Sequence, residues 1–261
     1  IMHYDSPVID IIIIVFMILA SMHFGVIYAM LAKKFLAPVR NSVTRYYLNV
    51  ILVLSLFITF VLMLQGGYGS FGKALLDSVF QVVSFISTTG FGNADNALWP
   101  VLANVFLLLA AFHCGCSGST TGGVKADRML IIFKEIGNEF RRRLPPSSVF
   151  CTKVDGHTVS NDQVSAVFLY FVAYVFILFM SFMAVLMSGV EISDAFSGTL
   201  ASLGNVGPGL GSLGKMGNYA SQPAFAKVIY TSLMFLGRLE IFPVLAVLHL
   251  ISDFRKNSSG R

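Results

Sequence analysis

Charge is scarce in this chain. Of its 261 residues only 12% are Asp, Glu, Lys or Arg, while 56% are hydrophobic, and the mean hydropathy is +0.77. A soluble domain carries about twice that charge fraction, so a soluble fold is excluded and an integral membrane protein expected. The apolar runs lack period-two alternation, which excludes the strands of an outer-membrane barrel. Cysteine is rare too. Cys114, Cys116 and Cys151 are too few and too scattered for a disulfide framework. Cys114 and Cys116 stand in C-x-C spacing without a second ligand pair, so they read as small packed residues and no transition metal is expected. No nucleophile with a base and no ligand cluster lies within an apolar stretch, so nothing argues for an enzyme. No signal peptide is evident, and the first residue is isoleucine, which reads as a chain that starts inside a longer protein.

What the sequence does contain is a repeat. Ser87-Thr88-Thr89-Gly90-Phe91-Gly92 has a relative in Gly204-Asn205-Val206-Gly207-Pro208-Gly209, with the central glycines 117 positions apart (207 − 90). Each turn follows a short amphiphilic run opened by an acid, Asp77 or Asp194, 13 residues before the central glycine (90 − 77 and 207 − 194). Each run lies between two longer apolar segments. Two copies of apolar span, short helix, glycine turn and apolar span make the skeleton of a potassium-channel-like pore. There, backbone carbonyls replace the hydration shell of an ion. Gly90 and Gly207 align with the central glycine of the T-V-G-Y-G pattern, where only glycine allows the required backbone. Pro208 replaces the aromatic and Asn205 the threonine, which implies a less symmetric site.

In chain order, a first span is expected over 8–32, long enough to cross a bilayer, and a second over about 46–65, stopped by Gly66-Gly67. Residues 74–87 are apolar but too short to cross and fit a re-entrant helix, followed by a loop over 87–95. A third span runs from Trp99-Pro100 to about Phe112. Helix should then fail through the glycines and small hydroxyls of 114–125, resume over 126–140, and stop at Arg141-Arg142-Arg143 before Pro145-Pro146. A polar connector covers 147–162. The second copy places its span at 164–188, its short helix at 192–203, its loop at 204–214 and a last span at 224–252, interrupted by Arg238 and Glu240.

Orientation follows from the basic residues. Segments 33–45, 125–153 and 255–261 hold 4, 7 and 3 Lys or Arg, which is 14 of the 18 in the chain. The positive-inside rule places these in the cytoplasm and the glycine turns toward the outside, so both repeats run the same way. Gly118 and Gly123 give loop 115–125 a passing likeness to a phosphate loop. Lys125 is displaced by one position, the metal-binding hydroxyl is absent and no strand precedes, so nucleotide binding is not expected there. Arg238 stands in mid-span, where a charge is costly unless it meets water or a partner. It reads as a pore-facing cation, with a pairing to loop carbonyls as the plainer alternative, and Glu240 reads as an anchor for a neighbouring helix or loop. Asp77 and Asp194 read as N-caps or dipole-compensating charges. His113 and His249 read as packed side chains.

These motifs together resemble the membrane subunit of the bacterial Trk/Ktr potassium-uptake systems, of the TrkH type. The resemblance rests on Thr88-Thr89-Gly90-Phe91-Gly92, Gly115-Cys116-Ser117-Gly118-Ser119-Thr120 with Gly122-Gly123-Val124-Lys125, Asn205-Val206-Gly207-Pro208-Gly209-Leu210-Gly211, and Gly237-Arg238-Leu239-Glu240-Ile241-Phe242. It implies an all-α membrane protein with tandem parallel M1–pore helix–M2 repeats of potassium-channel type around a pseudo-fourfold pore. Residues 1–45 would be the closing helix and loop of a preceding repeat, 46–146 one pore repeat and 147–261 another. Potassium would be bound at the filter by Thr88, Thr89, Gly90 and Phe91 with Asn205, Val206, Gly207 and Pro208. Gly115, Gly118, Gly122, Gly123, Lys125 and Arg238 would form an intramembrane gate. The implied partners are the remaining half of the four-repeat subunit, a second copy in a homodimer, a cytosolic ring of nucleotide-binding subunits resembling TrkA, and membrane lipid, with no nucleic acid and no cofactor. The implied place is the inner membrane, multi-pass, with the C-terminus in the cytoplasm. Sodium- or proton-coupled symport and a non-conducting scaffold are the alternative functions.

Overall fold

The structure is a computed structural model that describes residues 1–244 apart from 5, 35, 144–150 and 216. Its helices are α1 Pro7–Ser21, α2 Phe24–Leu31, α3 Ala37–Arg40, α4 Ser42–Leu64, α5 Phe71–Ile86, α6 Val101–His113, α7 Ala126–Arg142, α8 Asn161–Leu186, α9 Ile192–Leu203 and α10 Ala224–Leu239. Among the described residues, only α4 and α8 are by themselves long and apolar enough to cross a membrane, and α1 with α2 makes a third span if the bent pair is counted as one. Both long helices start from side-chain caps. Asn41 accepts from Thr44 N at 2.8 Å, and Ser160 with Gln163 forms a capping box. Large apolar side chains stand exposed along α1 (Ile11, Val15, Phe16), α4 (Leu52, Leu56, Phe60) and α8 (Leu169, Val172, Phe176). Such a continuous apolar exterior is the face a lipid solvent requires.

The two short helices α5 and α9 lie at the centre. Phe80, Val82, Val83, Phe85 and Ile86 of α5 are fully buried, and so are Ser197, Thr199 and Ser202 of α9. α5 packs on α1, α4 and α6, while α9 packs on α8, α10 and α6.

The first span differs from expectation. It breaks between Ser21 and Phe24, and the helix axis bends there by 112°. The break is held from outside the helix: Cys116 N donates to Ser21 O at 2.9 Å, while Tyr47 Oη and Ser21 Oγ share a bond at 2.5 Å. The last span breaks too. α10 stops at Leu239, and Glu240 is left-handed with φ 63°. Residues 245–252 of that expected span, with His249 and the basic segment 255–261, lie outside the described residues, as do Pro145-Pro146. The connector contains a hairpin, β1 Lys153–Val154 against β2 His157–Thr158, turned by Asp155 (φ 51°) and Gly156 (φ 83°). An Asp-Gly pair favours such a two-residue turn. Asp155 also accepts from Asn41 Nδ2 at 2.8 Å and Ser42 N at 2.5 Å. The basic segments 33–45 and 125–153 therefore meet at one end of the molecule.

Asp77 and Asp194 are not N-caps, although Asp194 does lie in the first turn of α9, where a negative charge suits the helix dipole. α5 begins six residues before Asp77 (77 − 71), and the cap position of α9 is Glu191. Each acid instead holds the chain that leaves the turn. Asp77 accepts from Asn93 Nδ2 at 2.8 Å and Tyr68 Oη at 2.9 Å, and Asp194 accepts from Ser212 N at 3.2 Å and from its hydroxyl.

Candidate ion site and loop beneath it

The two glycine turns have the same backbone. Thr88 and Asn205 are left-handed at φ 54° and 56°, and Gly90 and Gly207 are left-handed at φ 73° and 100°. Their hydrogen bonds also match. Thr88 N donates to Phe85 O (3.2 Å) and Thr89 N to Ser84 O (3.1 Å); Asn205 N donates to Ser202 O (3.2 Å) and Val206 N to Ala201 O (2.9 Å). Every donor and acceptor in the second set lies 117 residues beyond its counterpart in the first, as 205 − 88 and 201 − 84 illustrate.

This arrangement fixes where the carbonyls point. In a trans peptide the N–H of one residue and the C=O of the residue before it point in opposite directions. With the N–H groups of Thr89, Gly90 and Val206 turned back to their helices, the carbonyls of Thr88, Thr89 and Asn205 turn away from them. Among the described residues, the carbonyls of Thr88, Thr89, Gly90, Asn205, Val206 and Pro208 accept no hydrogen bond. Two members of the expected set differ. Phe91 O accepts from Ser84 Oγ at 2.6 Å and from the Lys215 ammonium, and Gly207 O accepts from Tyr219 Oη at 2.9 Å. Of the eight expected filter residues, these two have carbonyls that already accept hydrogen bonds from the protein. The turns themselves are adjacent. A Cβ on Gly90 would lie 2.6 Å from Val206 O and 2.9 Å from Pro208 Cδ.

Loop 114–125 lies directly against the second turn. A Cβ on Gly122 would stand 2.5 Å from Gly204 O, and one on Gly115 would stand 2.8 Å from Ser21 O. Gly118 and Gly123 are left-handed at φ 71° and 68°, as is Lys125 at φ 39°. The loop is tied on three sides. Besides Ser21, the Gly118 carbonyl accepts from Phe24 N at 3.4 Å, and the Thr120 carbonyl accepts from the Arg238 guanidinium. Arg238 thus pairs with a loop carbonyl while its side chain stays exposed. Glu240 binds Lys125 Nζ at 2.5 Å and Arg128 Nη2 at 2.7 Å, the anchoring expected of it. Arg128 in turn stacks 3.8 Å from the Tyr170 ring centroid.

Cys114 and Cys116 are buried free thiols, with Cys114 Sγ 2.9 Å from Ala111 O. His113 is packed between Tyr46 Oη (2.9 Å) and its neighbour's carbonyl. The described residues contain no group of three metal-ligating side chains. Several residues at the site escaped sequence reasoning: Ser84, Lys215, Tyr219, and the Ser21–His23 break. A basic residue only six positions beyond the second turn's glycine-rich tail was the available signal for Lys215 (215 − 209).

The family model for TrkH, described as a cation transport protein, matches residues 1–257. The Trk system potassium uptake protein TrkH of Salmonella typhimurium is 35% identical over 246 residues, covering 94% of this chain and 50% of the relative. TrkG of Escherichia coli, also a Trk system potassium uptake protein, is 28% identical over 246 residues. The crystal structure of the potassium transporter TrkH from Vibrio parahaemolyticus superposes with a TM-score of 0.88 at 30% identity, over 95% of this chain and 53% of that one. The chain spans about half the length of these relatives. It is a helical membrane protein and belongs to the TrkH family of cation transport proteins.

Proposed function

We propose that this chain forms two sides of a potassium-uptake pore, with the remaining sides supplied by the other half of a four-repeat subunit. The observation that carries the reading is the repeated turn, whose unbonded carbonyls at Thr88, Thr89, Gly90, Asn205, Val206 and Pro208 are those a dehydrated alkali cation requires. In this reading Gly207 contributes its backbone conformation, and Phe91 its side chain, rather than carbonyl ligands. Gly90 faces the carbonyl of the next turn, whereas nothing lies within 4 Å of a Cβ on Gly207. A ring continued by the same contact would place a further turn beside Gly207, as a pore with more repeats than this chain holds requires.

The partition into residues 1–45, 46–146 and 147–261 follows the same plan. Loop 114–125 is the gate, since its glycines press on the second turn from below and its ties to Ser21, Arg238 and Glu240 can be broken singly. The names of the relatives support a multi-component Trk system. We therefore place a second copy of the subunit and a cytosolic nucleotide-binding ring at the basic end formed by 33–45 and 125–153, in the inner membrane with the C-terminus in the cytoplasm.

The test is growth of a potassium-uptake-deficient bacterium carrying the intact gene, with Gly207→Ser beside wild type. Rescue at low potassium by wild type, with a raised potassium requirement for the variant, is the expected result. Equal requirements would remove Gly207 from the ion site, and failure of a well-expressed wild type to rescue would overturn the potassium reading.

A further inference from the structure

Lys215 stands in the loop after the second turn, yet its ammonium ends behind the first. Nζ donates to Phe91 O and Gln81 Oε1, lies 3.5 Å from Ser84 Oγ, and sits 4.9 Å from the Phe85 ring centroid. All of these acceptors belong to α5 or to the turn that follows it. Among the described residues no carboxylate pairs with Lys215. Its ligands are a carbonyl, an amide and a hydroxyl, the neutral oxygens that an alkali cation itself would take.

The site is also shaped for the stem of this side chain. The three atoms nearest to a Cβ on Gly92 would be Lys215 Cδ at 2.6 Å, Cβ at 3.3 Å and Cγ at 3.5 Å. Gly92 has no left-handed φ, so its lack of a side chain is explained by the passage of the lysine. The clamp is thus built from both sides: a glycine notch for the stem, and Gln81, Ser84 and Phe91 O for the head.

We propose that Lys215 is a positioning residue of the pore, a cross-repeat clamp whose ammonium withdraws the Phe91 carbonyl from the ion path and fixes how Thr88, Thr89 and Gly90 present theirs. This inference rests on the reading that residues 87–92 and 204–209 line the path. Ion discrimination in a carbonyl site depends on the number and field strength of the oxygens presented. Without the ammonium the Phe91 carbonyl keeps only its bond from Ser84 Oγ and the turn loses its cross-repeat tie, so apparent affinity and selectivity change before maximal rate does.

The experiment is rubidium uptake by the intact transporter in cells lacking other potassium uptake, comparing wild type, Lys215→Met and Lys215→Gln at matched membrane levels. The expected result for Lys215→Met is a half-saturating rubidium concentration raised about tenfold, the equivalent of one charge-assisted hydrogen bond, with stronger inhibition by sodium and a largely retained maximal rate. Lys215→Gln, which keeps a donor without the charge, should fall between the two. A second arm combines Gly92→Ala with Lys215→Ala, and the penalty of Gly92→Ala should disappear in the double variant. Unchanged half-saturation and sodium inhibition in Lys215→Met would overturn the proposal. So would failure of both Lys215 variants to reach the membrane, which would make the residue a folding determinant. Absence of rubidium uptake by wild type would instead overturn the pore reading itself.

Discussion

Gly90 is turned so that a Cβ on it would stand 2.6 Å from the carbonyl oxygen of Val206. Two turns 117 residues apart in sequence thus touch through the absence of a side chain. Gly90→Ala carries two costs. The left-handed φ of 73° disfavours any L side chain by about 1–2 kcal/mol, and the added methyl displaces a carbonyl of the neighbouring turn. Rubidium uptake should show at least about a tenfold rise in half-saturation, the equivalent of ~1.4 kcal/mol. Gly72→Ala on α5, the helix that leads into this turn, meets no atom nearer than 3.8 Å, serves as the control and should leave uptake unchanged.

Glycine in α10 answers to the same reasoning. A Cβ on Gly237 would fall 1.9 Å from Leu203 O and 2.7 Å from Asn205 Nδ2, so Gly237→Ala pushes α10 away from the second turn. The expected loss is about 1–3 kcal/mol, as for other overpacked sites, read as a lower melting temperature of the detergent-solubilised protein. Gly137→Ala on α7 meets nothing within 4 Å and should stabilise by about 0.5–1 kcal/mol through helix propensity. Equal shifts for the two variants would show that the contact at Gly237 is not tight.

Much of this was legible before any coordinates. The repeat offset of 117 located both turns, and composition located α4, α5, α8 and α9 to within a few residues. Those features are local: apolar length, a short amphiphilic run, a glycine at a fixed distance. What escaped was decided by contact between distant segments. Hydropathy reads 8–32 as one span, because the break at Met22–His23 is held by Cys116, nearly a hundred residues away in sequence. Asp77 and Asp194 occupy plausible helix starts in sequence, and only their partners Asn93 and Ser212 reveal that they tie down the outgoing chain. Phe91 looked like a filter ligand because its position in the motif says so. Its carbonyl direction depends on Ser84 and on Lys215, 124 residues later (215 − 91).

The hairpin offers a separable test of stability. Asp155 accepts from Ser42 N and Asn41 Nδ2 at the start of α4, so it acts as a helix cap supplied from another part of the chain. Asp155→Ala should lower stability by about 1 kcal/mol, the usual worth of a cap, through a melting temperature reduced by a few degrees. Uptake half-saturation should stay at the wild-type value, since the contact lies at the basic end. A changed half-saturation would mean that this end communicates with the turns.

Lys215 also predicts a pH dependence. Burial pushes its ammonium down to about 7. The charged groups on the surrounding elements include Asp10 on α1, Lys73 and Asp77 on α5, Asp95 in the loop after the first turn, Asp194 on α9 and Lys227 on α10, and Tyr219 is the nearby titratable phenol. Asp77 is held by Tyr68 and Asn93, and Asp194 by Ser212, so neither carboxylate pairs with the lysine. The proton is present below about 7 and lost as pH rises through it. The charge-assisted clamp therefore weakens from pH 6 to 8, and half-saturation for rubidium should rise across that interval. Lys215→Met should be flat over the same range, at the weaker, high-pH value. Parallel slopes in wild type and Lys215→Met would assign the dependence to another group.

Glu240 and Arg238 stand two residues apart and hold different parts of loop 114–125, so their variants should fail differently. Glu240 joins Lys125 and Arg128 at 2.5 and 2.7 Å and links the break in α10 to the start of α7. Its side chain is 32% exposed, so solvent screening reduces the pair's worth to about 1–2 kcal/mol. Glu240→Gln should lower the melting temperature. Arg238 is exposed and donates to one loop carbonyl, that of Thr120. Arg238→Ala removes that tie without leaving a buried charge behind, so stability should barely move. The loop would then keep its ties to Ser21, Phe24 and Glu240 but lose the one from α10 to Thr120, and rubidium uptake should gain maximal rate at unchanged half-saturation. Reduced uptake in Arg238→Ala, at normal membrane level, would mean that the guanidinium helps conduction rather than holding the loop in place.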